Sequence, residues 1–290
     1  MGACCGSLCR ELDIRNLGLK FYDPKAFTES PALPLSAFIL YRCLLGAVST
    51  YILVMVALHH PTFQVVLHFS YWSIFFVALY FIFGALISIC HLICKPSLND
   101  SSDGGYHFLE HPLGDTSCAL KPGEKDNDVK VSNLPRVNLL SWQHEVFWVL
   151  HSLAADSSMV ALVAYFSFWF RHRVTYDGYA AMMQHILPFL SMVIDCAIHG
   201  FPVRLLHVIY ANVFGFAYVV FSLVYIIIEV PDLRGEPTVY PSLEFGRQPV
   251  IYSAWLSVFI LVGFFVAQTF FCLMYKVRTC LTSTGEENKP

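Results

Sequence analysis

Long apolar runs separated by polar stretches set the pattern of this chain. Six runs are long enough to cross a bilayer, at 36–58, 67–94, 145–170, 179–199, 203–228 and 250–275. A membrane-crossing helix needs about 20 mostly apolar residues. Charged side chains inside the runs are confined to Arg42, Glu145, Asp156, Asp195 and Arg204, several of them near run ends. The runs lack the alternation of a membrane β-barrel, so backbone groups in lipid must bond within helices. The pattern predicts an all-α, polytopic membrane protein with six transmembrane helices. Its segments are an N-terminal stretch at 1–35, helices one and two at 36–94, a disordered loop at 95–144, helices three to six at 145–275, and a tail at 276–290.

Composition supports this division. Hydrophobic residues make up 56% of the 290 positions and charged residues 13%, against roughly 25% charged in a soluble domain. A net charge of -3 excludes a strongly basic nucleic-acid binder, so no nucleic-acid partner is expected. Residues 1–34 have no apolar core, so the first run is read as an anchor and not as a cleaved signal. The stretch 95–137 is rich in Gly, Pro, Ser and charge, which is why the loop is expected to be disordered.

Charge bias gives the orientation. In the six-span reading, the side that carries both termini holds thirteen Lys and Arg: Arg10, Arg15, Lys20, Lys25, Lys95, Lys121, Lys125, Lys130, Arg136, Arg204, Lys276, Arg278 and Lys289. The other side holds four, at Arg171, Arg173, Arg234 and Arg247. Both termini are therefore placed in the cytosol. All ten cysteines fall in cytosolic segments or in the cytosolic halves of spans, so no disulfide framework is expected. The start Met1-Gly2-Ala3-Cys4-Cys5-Gly6-Ser7 resembles a myristoylation start, although Gly6 stands where a hydroxyl is usual. Gly2 is a candidate for myristoylation, and Cys4, Cys5 and Cys9 for palmitoylation.

Polar groups inside the spans are the candidates for chemistry, because burying them is costly. Ser73 and His185 each lie six residues into a span that runs inward, roughly 9 Å below the outer surface. A hydroxyl and an imidazole at one depth are the minimum parts of a nucleophile–base pair. Asp195 is roughly 15 Å further along the helix than His185, and Asp156 is roughly 21 Å deep, so neither supplies a third member. Tyr71, Trp72, His151, Asp156 and Asn212 are candidates to line a pocket. Glu145, Ser152 and Asp156 share one stripe of span three, which reads as a polar face packed into the bundle. Asp195 and His199 are one turn apart and can pair with each other. Arg42 is expected to snorkel to the cytosolic headgroups. No zinc spacing of cysteine or histidine appears, and His59 with His60 offers only two ligands. No metal and no other cofactor is expected.

Three motifs carry a family resemblance. They are Trp148-Val149-Leu150-His151, Met183-Gln184-His185-Ile186-Leu187-Pro188 and His199-Gly200-Phe201-Pro202-Val203-Arg204, with Leu40-Tyr41-Arg42 in span one. Together they resemble the Rolling stone family of multipass membrane proteins, which implies a part in myoblast fusion or a related membrane process. The same core is similar to the androgen-induced and androgen-dependent integral membrane hydrolases. Those enzymes cleave fatty acid esters of hydroxy fatty acids with an intramembrane threonine and a histidine. That similarity implies that His185, three residues before Pro188, matches the histidine, and that Ser73, after Tyr71-Trp72, replaces the threonine.

Two classes of function follow: an interaction scaffold for membrane fusion, and an intramembrane ester hydrolase. Membrane lipids are the expected partners, with a lipid ester substrate and a homo-oligomer left open. The location is the plasma membrane or the endoplasmic reticulum.

Overall fold

The computed structural model describes residues 11–21, 23–59, 66–94, 142–169, 177–227 and 249–287. The lipidation candidates Gly2, Cys4, Cys5 and Cys9 and nearly all of the loop expected to be disordered lie outside these residues. The described residues are helical and contain no strand. Six helices carry the fold: α1 (Leu35–His59), α2 (Phe69–Cys94), α3 (Trp142–Ala164), α4 (Asp177–Ile198), α5 (Val208–Ile227) and α6 (Pro249–Glu287). Five segments are long and apolar enough to cross a membrane: Leu35–Leu58, Phe69–Ile93, Trp142–Ser167, Leu205–Val224 and Ala254–Thr282. In α4 the corresponding apolar part is shorter, Met183–Ile198. This is the architecture of a membrane-integral protein.

Lipid-facing surface is visible on the outer helices. On α1 the exposed residues Leu40, Leu44, Val48, Tyr51, Val54, Met55 and Leu58 recur at helical spacing. On α6, Leu261, Val262, Phe265, Val266, Leu273 and Val277 do the same. Apolar stripes of this size would be a liability in water and are satisfied by acyl chains. By contrast α3 buries most of its length and packs on α2, α4, α5 and α6, which makes it the centre of the bundle. A π-turn, Tyr165–Trp169, continues it.

Helix ends depart from the apolar runs in two places. α3 begins at Trp142, three residues into the expected loop. α6 continues through Glu287, so the expected tail is helical through that residue. Lys276 and Arg278 end the apolar run, but neither breaks a helix, since Lys and Arg have good helix propensity.

The N-terminal stretch is part of the core. Lys25–Thr28 forms one helical turn that puts Phe27 at 0% exposure. Phe27 stacks on Phe201 at 4.9 Å and meets Trp148 edge-on at 5.5 Å. Arg204 donates to the carbonyls of Gly18 and Lys20, and Tyr210 to that of Leu17. Lys276 of α6 pairs with Glu11 at 3.3 Å, which ties the N-terminal stretch to α6.

Arg42 does not snorkel. It is fully buried, and its Nη1 donates to the carbonyls of Phe27 and Gly84 and to Ser88 Oγ. Its guanidinium lies over the rings of Phe38 and Phe147 at 4.1 and 4.9 Å. The folded-back N-terminal turn supplies an acceptor for Nη1 inside the bundle, while Nε and Nη2 have no partner. Cys43, Cys90, Cys196, Cys272 and Cys280 form no disulfide.

Candidate functional site

The helices bring together a buried polar cluster near the end covered by residues 11–34. Tyr80 of α2 is fully buried, and its hydroxyl donates to Asp195 Oδ2 of α4 at 2.5 Å. The Tyr80 ring stacks on Phe147 and meets His151 of α3 edge-on at 5.5 Å. His151 in turn meets His199 at 5.0 Å and 81°. His199 stacks on Phe201 at 3.9 Å. One donor atom each from His151, Asp195 and His199 lies within 4.8 Å of the other two.

Polar atoms in this cluster are poorly matched inside the protein. Both ring nitrogens of His151 and of His199 lack a hydrogen-bond partner, as does Asp195 Oδ1. The Tyr41 hydroxyl approaches the Asp195 carboxylate without meeting hydrogen-bond geometry. An unsatisfied buried polar group costs about 1–3 kcal/mol. The side chains of Asp195 and His199 do not bond to each other, although the His199 amide donates to the Asp195 carbonyl one turn earlier at 2.9 Å. The end of α4 is instead pinned by Arg278, whose Nη1 donates to the carbonyls of Cys196 and His199.

Local chemistry explains the close approach. Gly84 of α2 leaves room for the aromatic layer: a Cβ there would sit 2.8 Å from the Phe147 ring. Pro202 lies in the connection between α4 and α5, and its carbonyl accepts from Trp148 Nε1 at 2.9 Å. These contacts hold Phe201 between Phe27 and the two histidines.

Ser73 lies on the same face of α2 as Tyr80, seven residues earlier, or about 10 Å towards the far end of the bundle. It is 1% exposed, and its Oγ has no hydrogen-bond partner. Ser222 of α5 is likewise buried with its Oγ unpartnered, whereas three other span hydroxyls bond back to their own helix. Ser158 bonds to the Ala155 carbonyl at 2.8 Å, Ser191 to that of Leu187 at 2.7 Å and Thr50 to that of Gly46 at 2.7 Å. Back-bonding of this kind is the ordinary fate of a helix serine, and Ser73 is released from it.

His185 is partly buried and stacks on Tyr165 of the π-turn at 4.3 Å. Its Nδ1 has no partner. Ser73 and His185 therefore share no hydrogen bond. Counted from the Tyr80–Asp195 bond, His185 lies about 15 Å towards the far end, roughly one helical turn beyond Ser73. Asp156 is fully buried with both oxygens unpartnered, and counted from His151 it lies about 7.5 Å along, closer to the level of Ser73 than the sequence suggested. Trp72 donates from Nε1 to the Val66 carbonyl and packs on Phe214. Tyr71 is half-buried, and Asn212 is half-buried with its Oδ1 unpartnered. His151 is the one pocket candidate that joins the Asp195–His199 cluster.

Sequence reasoning missed Tyr80, Phe27 and the joining of His151 to Asp195 and His199. One signal was present. Two ligand-type residues at i and i+4 on a helix face one direction, the spacing that metal-binding helices use. Comparison of the chain with family models, with curated proteins and with solved structures gives no match.

Proposed function

We propose that this protein is an intramembrane hydrolase of lipid esters, with Ser73 as nucleophile and His185 as its general base. The observation that carries the reading is the Ser73 hydroxyl, buried on the inward face of α2 and released from back-bonding. In the reaction the Ser73 proton passes to His185 as Oγ attacks the ester carbonyl. The alcohol leaves with a proton returned by His185, and water then cleaves the acyl-serine to free the acid. Proton transfer at Ser73 needs an approach to His185 of about 3 Å or one bridging water, and such contacts often tighten only when substrate is bound. Fatty acid esters of hydroxy fatty acids are the substrate class implied by the resemblance to the androgen-dependent hydrolases.

The proposal includes six crossings with both termini in the cytosol. The pairing of Glu11 with Lys276 supports an even number of crossings, with α4 as the sixth. The excess of Lys and Arg on that side supports its cytosolic placement. The plasma membrane or the endoplasmic reticulum is the proposed location. A Rolling stone-like scaffold role in membrane fusion is the rival reading. Under it, Ser73→Ala and His185→Ala leave function intact. Labelling by a fluorophosphonate probe, compared between the wild-type chain and Ser73→Ala, separates the two.

A further inference from the structure

We propose that His151, Asp195 and His199 form a binding site for a first-row divalent metal ion, with zinc as the ion that two imidazoles and one carboxylate suit. The site stands apart from Ser73 and does not depend on the hydrolase reading.

Three observations converge on it. The three donor atoms lie within 4.8 Å of one another, from α3, from α4 and from the residue just past the end of α4, all held by the bundle core. Around a tetrahedral zinc, donors at about 2.0–2.2 Å from the ion stand roughly 3.4 Å apart. Side-chain rotations of at most about 1.4 Å would close the set onto an ion. Next, the ring nitrogens of His151 and His199 and Asp195 Oδ1 are buried without a partner in hydrogen-bond geometry, although the Tyr41 hydroxyl stands near Asp195 and the Phe201 backbone near His199. Finally, the other carboxylate oxygen is already engaged. Tyr80 donates to Oδ2, which fixes the carboxylate and leaves Oδ1 for the ion. A ligating carboxylate is ordinarily oriented in this way by an outer hydrogen bond.

Two His and one Asp leave a fourth position for a non-protein ligand, as in zinc sites that keep an open place. Charge indicates its nature. Arg42 and Arg278 both act electrostatically on Asp195. With those two cations nearby, an anionic fourth ligand such as hydroxide or a carboxylate balances the ion better than neutral water. The C-terminal end of α4 also presents its negative dipole end to the site.

The test is metal analysis of the full-length chain, purified in detergent without chelator, with variants His151→Gln, His199→Gln and Ser73→Ala. About one equivalent of zinc per chain is expected in the wild type and in Ser73→Ala, with most of it lost in either histidine variant. Because a histidine variant could fail to fold, the wild-type chain is also stripped with chelator and titrated with zinc. At a hundredfold excess over the dissociation constant, the midpoint of thermal unfolding should rise by about 5–10 °C. A wild-type chain with no metal, and no rise on adding zinc, overturns the proposal. Folded histidine variants that keep a full equivalent of zinc overturn it too. Retention of zinc by Ser73→Ala is expected whether or not Ser73 reacts with the fluorophosphonate, so the two readings fail separately.

Discussion

Tyr80 and Asp195 meet 2.5 Å apart across α2 and α4, with no exposure to solvent or lipid at either residue. The bond ties together two helices that are 115 residues apart in sequence, and it orients the carboxylate that faces His151 and His199. Removing the hydroxyl in Tyr80→Phe keeps the ring stacked on Phe147 and leaves Asp195 without its donor. A hydrogen bond to a charged group contributes about 1.5–3 kcal/mol. Tyr80→Phe should lose that much in detergent unfolding followed by circular dichroism. An unchanged midpoint would mean that the bond contributes nothing to the fold.

Arg42 makes a second prediction. Its Nη1 reaches three oxygens on two segments, Phe27 in the N-terminal turn and Gly84 and Ser88 on α2, while the guanidinium lies over two aromatic rings and Nε and Nη2 have no partner. Lysine keeps the charge but has no guanidinium plane to lie over the rings. Arg42→Lys should cost about 1–2 kcal/mol through the lost contacts with the Phe38 and Phe147 rings. It should also expose the turn at residues 25–28 to protease. Resistance equal to the wild type would contradict the role given to this side chain.

Two helix glycines should respond differently to the same change. At Gly84 an added methyl meets the Phe147 ring at 2.8 Å, whereas at Gly46 the nearest atoms stand at 3.4 Å. Overpacking costs about 1–3 kcal/mol, so Gly84→Ala should be destabilised by that amount. Gly46→Ala should stay within about 1 kcal/mol of the wild type, because the better helix propensity of alanine offsets a tight contact. Parallel thermal unfolding of the two variants checks this, and equal losses would contradict the packing described around Phe147.

The helices themselves were readable because each one needs a long apolar stretch, and apolar stretches are visible in one dimension. α1 and α2 begin and end within about two residues of the runs that predict them. The end of α6 was not readable, because Lys276 and Arg278 mark the edge of the hydrocarbon and not the edge of a helix. Arg42 was misread for a related reason. Its acceptor at Phe27 comes from a turn outside the spans, and nothing local announces that this turn folds back into the bundle. Ser73 could be singled out by type and depth, but its release from back-bonding depends on a rotamer that no spacing reveals. His151 could be singled out as a candidate to line a pocket, yet which helix it faces is a property of packing. Only Asp195 and His199, one turn apart on one helix, carried their relation in the sequence, and the third member had to come from across the interface.

The most direct measurement is covalent labelling of the folded wild-type chain by a fluorophosphonate, with the modified residue located by peptide mass spectrometry. The proposed function predicts a single adduct on Ser73, abolished in Ser73→Ala and reduced at least tenfold in His185→Ala, in line with a base contribution of about 10²–10⁴-fold. A folded wild-type chain that takes no label, or is labelled equally in Ser73→Ala, would contradict it.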